Sequence, residues 1–207
     1  MIAVIDYGMG NLHSVSKAVE RLGYDVKVTD SLAEMLAADG IILPGVGAFG
    51  DAMQALQDSG LDDALRKAVQ AGKQTLGICL GMQLLFNVSE EHGQHTGLGL
   101  LPGRVTRFEG GSYKVPHMGW NPLKWRQPAH PLTEGLEEGH VYFVHSYHVL
   151  PGSASDVIAT CSYGGKQVTS IVGRDNVYGM QFHPEKSGSL GLQLLARFLK
   201  LTGNARN

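Results

Sequence analysis

Cys79 lies in the stretch of residues 75–86, Thr-Leu-Gly-Ile-Cys-Leu-Gly-Met-Gln-Leu-Leu-Phe, where a short apolar run gives way to a helical pattern. Residues 74–78 read as a buried strand and residues 80–86 as a helix, so the thiol sits at the turn between them. A sharp strand-to-helix turn holds a nucleophile out of the sheet in a strained conformation, and the small flanking residues Gly77 and Gly81 let the two elements approach closely. Free N–H groups at the start of the following helix favour thiolate over thiol. A nucleophile of this kind needs a base. Gly179-Met-Gln-Phe-His-Pro-Glu185 ends a later strand, and on an extended chain His183 and Glu185 point to the same side while Pro184 points away. A carboxylate orienting an imidazole that takes a proton from a thiol is the chemistry that these three residues suggest.

The elements that must position them follow from periodicity. Residues 2–5 read as a strand, 11–22 as a helix stopped by Gly23, 24–29 as a strand, 31–37 as a short helix with Ser31 as its cap, and 40–43 as a strand. Helical patterns over 51–57 and 62–71 precede the strand that delivers Cys79. This β-α-β-α-β alternation predicts an α/β fold of three layers: a mostly parallel sheet with helices on both faces, binding ligands beyond the carboxyl ends of its strands. After about Gly97 short strands dominate, over 98–108, 112–115, 122–125, 141–150, 157–161 and 167–172. These predict an antiparallel extension in the C-terminal half, either widening the same sheet or folding a flap against it. A strand over 177–182 and a helix over 188–201, apolar at Leu192, Leu195, Ala196 and Leu199, close the pattern. With no repeat or linker, residues 1–207 read as one domain.

Composition narrows the function classes. The hydrophobic share of 43% against 17% charged residues is that of an ordinary globular protein, and a net charge of −2 leaves no footprint for nucleic acid or an acidic membrane surface. The start of the chain lacks the basic and long apolar segments of a signal peptide, and no run is long enough to span a bilayer, so a cytoplasmic setting is expected. There a Cys79–Cys161 disulfide is disfavoured. Gly8-Met-Gly10 follows a strand, but His13 replaces the third glycine of a dinucleotide fingerprint, and His145 and His148, three apart on one expected strand, should face opposite sides. No metal, nucleotide or other cofactor is expected.

Gly77-x-Cys79-x-Gly81-x-Gln83 followed by His183-Pro184-Glu185 resembles the class I glutamine amidotransferases across most of the chain. Asp6-Tyr-Gly-Met-Gly-Asn11, Pro44-Gly-Val-Gly-Ala-Phe49, Pro116-His-Met-Gly-Trp-Asn121 and Phe143-Val-His-Ser-Tyr-His148 are similar to one branch of that family. Its members are glutaminase subunits that feed a separate (β/α)8-barrel cyclase making imidazole glycerol phosphate in histidine biosynthesis. The resemblance implies Cys79 as nucleophile, His183 as base and acid, and Glu185 as its orienting partner. Leu80 N–H and a second donor from Gly45, Val46 or Gly47 would form the oxyanion site, since Pro44 has no N–H. Gln83 and Glu91 would hold the α-amino end of glutamine, with Glu90 the alternative to Glu91, and Ser146 and Tyr147 its α-carboxylate. Asn11 and Lys186 would face the cyclase in a heterodimer. Other readings are a glutaminase of another branch, a binding module that keeps the fold without catalysis, and a cysteine peptidase.

Overall fold

Ile2, Ala3, Val4 and Ile5 are all fully buried, as a strand covered on both faces requires. The computed structural model describes residues 1–203. Residues 204–207 of the expected single domain lie outside the described residues. The first half runs β1 (Ile2–Ile5), α1 (Leu12–Arg21), β2 (Val26–Thr29), α2 (Leu32–Ala37), β3 (Gly40–Gly45), α3 (Phe49–Asp58), α4 (Leu61–Gln70), β4 (Gln74–Cys79) and α5 (Leu80–Leu84). The second half is mostly strand: β5 (Phe86–Ser89), β6 (His95–Thr96), β7 (Leu101–Arg107), β8 (His117–Pro122), β9 (Lys124–Trp125), β10 (His140–His145) and β11 (Tyr147–Pro151). Then come β12 (Val157–Tyr163), β13 (Lys166–Arg174), β14 (Val177–Met180) and the closing helix α6 (Gly188–Leu201).

The main sheet has the order β2-β1-β3-β4-β14-β13-β12-β9. Strands β2 to β14 are parallel, and β13, β12 and β9 continue the sheet antiparallel. Strand alternation splits the core in two. Ile2 and Val4 pack with Val15 and Val19 of α1 and with Leu194 and Phe198 of α6. Ala3 and Ile5 pack on the other face with Met35, Phe49, Leu56 and Leu65. The three expected layers are therefore present. So are both alternatives for the C-terminal half, because a four-stranded sheet (β11-β7-β5-β6) and a two-stranded ribbon (β10-β8) accompany the sheet extension.

Four local expectations are corrected, the first two by strand pairing. The helix expected over 80–86 stops at Leu84 because Phe86 and Val88 pair with Leu101 and Arg104 of β7. The strand expected over 141–150 breaks at Ser146, with β10 pairing to β8 and β11 to β7. Strand structure in the neighbourhood of residues 112–115 starts only at His117. Ser31 makes no side-chain cap for α2; its N–H instead donates to Thr29 Oγ1 at 3.0 Å. No helix among the described residues is long and apolar enough to cross a membrane.

Candidate active site

Cys79 ends β4 and precedes α5 with φ +57° and ψ −114°, a backbone conformation rare for a residue with a side chain. Such strain costs of order 1–3 kcal/mol and persists only where packing enforces it. Here the enforcement is close backbone contact. A Cβ on Gly81 would lie 1.9 Å from the Leu43 carbonyl oxygen, and one on Gly77 would lie 2.5 Å from the carbonyl oxygen of Gly81. The turn is thus pressed between β3 and β4 with its thiol toward the carboxyl ends of the parallel strands.

His183, three residues beyond β14, lines the same cavity as Cys79, near enough for the thiol to act on the charge of its ring. Its Nδ1 meets Glu185 Oε1 at 2.9 Å, leaving Nε2 as the ring nitrogen for the thiol. His183 is extended (φ −94°, ψ 100°), as expected, but Glu185 lies on a 3-10 turn, Pro184–Lys186, rather than on a strand. Ser187, buried and unremarkable in the sequence, anchors this turn. Its hydroxyl donates to the His183 carbonyl at 2.6 Å and accepts from the Tyr142 N–H at 3.0 Å. Burial pushes the His183 pKa down, but the hydrogen bonds and charges of Cys79 and Glu185 outweigh it and raise the pKa to about 9. A raised pKa keeps the imidazolium up to that pH and loses it above. Replacing Glu185 with Gln removes one raising cause, so the NMR titration midpoint of the His183 ring should fall below that of the wild type. An unchanged midpoint would mean that the carboxylate does not set the charge of the ring.

A cavity of about 360 Å³ opens above this pair, lined by Val46, Gly47, Cys79, Leu80, Gln83, Glu91, Pro116, Val144, His145, Ser146, Tyr147 and His183. Among the residues singled out in the sequence, Gly45 is beneath the wall rather than on it, where a Cβ would meet Tyr7 Oη at 2.7 Å and Gly81 N at 2.8 Å. Glu91 lines the cavity and accepts the Phe49 N–H at 2.7 Å. Glu90 faces elsewhere, accepting from Thr106 Oγ1 at 2.8 Å. Gln83 is held by its Nε2, which donates to the Tyr147 carbonyl at 3.0 Å and to Gln181 Oε1 at 3.1 Å. Asn11 and Lys186 lie off the cavity. Asn11 caps α1 through a 3.4 Å bond from Ser14 N–H, and Lys186 is exposed on the 3-10 turn.

Periodicity missed several residues here. Tyr7 donates its hydroxyl to the Pro44 carbonyl at 2.9 Å, and burial and the adjacent Cys79 hold its phenol well above the usual pKa. Pro116, Val144 and His145 reach the cavity because β8 and β10 form a ribbon beside it. His145 and His148 are both buried around Phe108, since the break at Ser146 cancels the alternation expected of a continuous strand. The site's equipment is a strained thiol, an imidazole on a buried carboxylate, and a polar-edged cavity for a small molecule.

A family model described as glutamine amidotransferase class-I matches residues 3–201. The chain is 56% identical over 212 aligned residues to the imidazole glycerol phosphate synthase subunit HisH of Geobacillus thermodenitrificans, covering 100% of this chain and 99% of that protein. It is 56% identical over 201 residues to the HisH subunit of Desulfitobacterium hafniense strain DSM 10664 / DCB-2, covering 97% and 94%. Among solved structures, one described as glutamine amidotransferase superposes with a TM-score of 0.78 at 22% identity, over 99% of this chain and 100% of that one. PurLQS from Thermotoga maritima gives 0.76 at 21% identity, over 97% of each chain. These two structures speak to the fold alone.

Proposed function

The chain belongs to the class I glutamine amidotransferase family, and from that premise we propose that it is the glutaminase subunit of an imidazole glycerol phosphate synthase in histidine biosynthesis. The observation that carries the reading is that Cys79 and His183 line one small cavity at the carboxyl ends of parallel strands, with Glu185 hydrogen-bonded to His183 behind them. Residues 1–207 act as one glutaminase domain. The Cys79 thiolate attacks the side-chain amide carbon of glutamine, and His183 gives its proton to the departing nitrogen. Ammonia leaves, and water that has surrendered a proton to the same imidazole releases glutamate from the thioester. Glu185 holds the ring through both steps. Leu80 N–H and an N–H of the segment from Gly45 to Gly47 receive the oxyanion. Gln83 and Glu91 take the α-ammonium of glutamine, and Ser146 and Tyr147 its carboxylate. A free nucleophilic thiol suits the reducing cytoplasm.

Ammonia in neutral water is mostly protonated and then not a nucleophile, so it must pass directly to a synthase site. We assign that site to a (β/α)8-barrel cyclase docked at the cavity mouth. Exposed apolar side chains there support docking: Val46 is 43% exposed, Met118 58% and Trp120 54%. On the ribbon, Met118 pairs with cavity-lining Val144 and Trp120 with Tyr142, so one continuous face leads away from the site. Asn11 and Lys186 are assigned to the same interface. The testing experiment is glutamate release from glutamine with and without the cyclase and its nucleotide ligand. Strong stimulation is expected, and full activity of the isolated chain would count against coupling.

The stimulation is expected to act through the oxyanion segment. Tyr7 ties the Pro44 carbonyl, so a peptide turn has to occur at Val46 or Gly47. Gly47 has φ +99°, and a Cβ there would meet only the flexible end of Met9, at 2.8 Å. Gly47→Ala therefore strains the resting conformation without blocking the fold. Because one oxyanion donor is worth roughly a hundredfold to a thousandfold in rate, the ratio of stimulated to basal glutamate release should fall at least about tenfold. A folded variant with an unaltered ratio would place the coupling outside this segment. Gly45→Ala makes a poor test, because its Cβ would press on the nucleophile turn itself.

A further inference from the structure

Beside the cavity runs a chain of hydrogen bonds, buried at its centre, that the mechanism does not use. Asn121 Nδ2 meets His117 Nε2 at 2.9 Å, His117 Nδ1 meets His145 Nε2 at 2.9 Å, and His145 Nδ1 meets the Tyr147 carbonyl at 2.8 Å. The same carbonyl accepts Gln83 Nε2. His117 is fully buried, stacked on Tyr163 with ring centroids 3.9 Å apart, and His145 is 7% exposed.

One atom fixes the direction of the whole chain. A carbonyl oxygen only accepts, so His145 Nδ1 must carry the hydrogen there, and in a neutral ring Nε2 is then an acceptor. His117 Nδ1 must therefore donate, and His117 Nε2 must accept from the amide of Asn121. The same carbonyl settles Gln83, whose two amide hydrogens go to Tyr147 O and Gln181 Oε1. Its oxygen is what remains for a ligand. Burial keeps both rings neutral, with the His145 pKa pushed down to about 3 and that of His117 to about 4. Neither is a spare base for the triad.

We propose that His145 and His117 are positioning residues for glutamine binding: they lock the Tyr147 carbonyl and, through it, the Gln83 amide with its oxygen turned to the α-ammonium of the substrate. This rests on the glutaminase reading above. Asn121, partly exposed on the same ribbon, starts the chain on the face opposite Met118 and Trp120.

The test measures glutamate release in the presence of the partner, with Cys79 alkylation by iodoacetamide as a control for an intact nucleophile. His145→Phe keeps a ring but gives the carbonyl no donor. KM for glutamine should rise roughly tenfold to hundredfold, the cost of a misdirected bond to a charged group, with kcat and alkylation changed far less. The penalty should vanish for the analogue of glutamine that lacks the α-amino group. His145→Asn, which can still donate to the carbonyl, should recover much of the KM. Asn121→Asp gives a separate readout at the partly exposed end. The carboxylate accepts from His117 Nε2–H, so only the doubly protonated ring can still donate to His145. The titratable groups around His117 are His145 and Tyr163, with His148 and His183 beyond His145. The new carboxylate raises the His117 pKa from its low wild-type value, and as pH climbs through that raised pKa the ratio of variant to wild-type KM should grow, because His117 loses its second proton and two acceptors then face each other. If the His145 variants fail to fold, this series decides. Unchanged KM in folded His145→Phe, equal penalties for glutamine and its des-amino analogue, or a pH-independent ratio in Asn121→Asp would overturn the proposal. Absence of glutamine turnover by the wild type would instead overturn the glutaminase reading.

Discussion

Cys79→Ala is expected to lower glutamate release by at least about a thousandfold, because no other group can form the thioester. Cys161, the other cysteine, lies in the core at 0% exposure, and burial raises its pKa to about 11. It neither reaches the cavity nor supplies thiolate. His183→Ala should fall nearly as far, since His145 is committed at both ring nitrogens and His148 lies outside the cavity lining. The same Cys79→Ala chain, assembled with its cyclase, should leave synthesis from added ammonium salts nearly intact, since the two half-reactions sit on different chains. Parallel assays with glutamine and with ammonium separate the two. Equal loss of both would defeat the division of labour and point to a structural role for the thiol.

Gly81→Ala should be the most damaging small substitution in the chain. Its added methyl would lie 1.9 Å from the carbonyl oxygen and 2.9 Å from the carbonyl carbon of Leu43, both backbone atoms of a central strand. No side chain can swing aside, so β3 and α5 must separate. Overpacking against flexible neighbours costs about 1–3 kcal/mol; here a destabilisation of at least ~3 kcal/mol is expected, seen as a drop in Tm. Activity should suffer beyond the loss of folded protein. The displaced turn carries Cys79 and Leu80, and about 1 Å of misplacement can cost a hundredfold in rate. Gly60→Ala is the control: Gly60 also has positive φ (+71°), but no atom lies within 4 Å of its added Cβ. Its cost should be that of backbone strain alone, with glutamate release per folded molecule unchanged. If Gly81→Ala melts like Gly60→Ala and keeps full activity, the turn is not held by this contact.

The sequence determined the parts of this protein that depend on local pattern and residue type. Apolar runs such as residues 2–5 and 40–43 mark strands buried on both faces, and their alternation with helical periods gives the layered sheet and places the site at its carboxyl edge. A cysteine between a strand and a helix, flanked by Gly77 and Gly81, already announces a strained nucleophile, because only glycine permits so close an approach. His183 and Glu185 were legible as a pair, though for a partly different reason: the carboxylate arrives on a 3-10 turn that Ser187 anchors. Tertiary structure decided what depends on strand partners far away in the chain. Residues 86–89 could continue a helix by local pattern, yet pairing with β7 makes them a strand and brings Glu91, not Glu90, to the cavity. Ser146 carries no breaker signal, but the two flanking segments pair with different sheets, so His145 and His148 turn to the same core. The direction of the Asn121–His117–His145 chain is likewise invisible in one dimension. It is dictated by a single carbonyl oxygen, that of Tyr147, and only folding brings the donors to it.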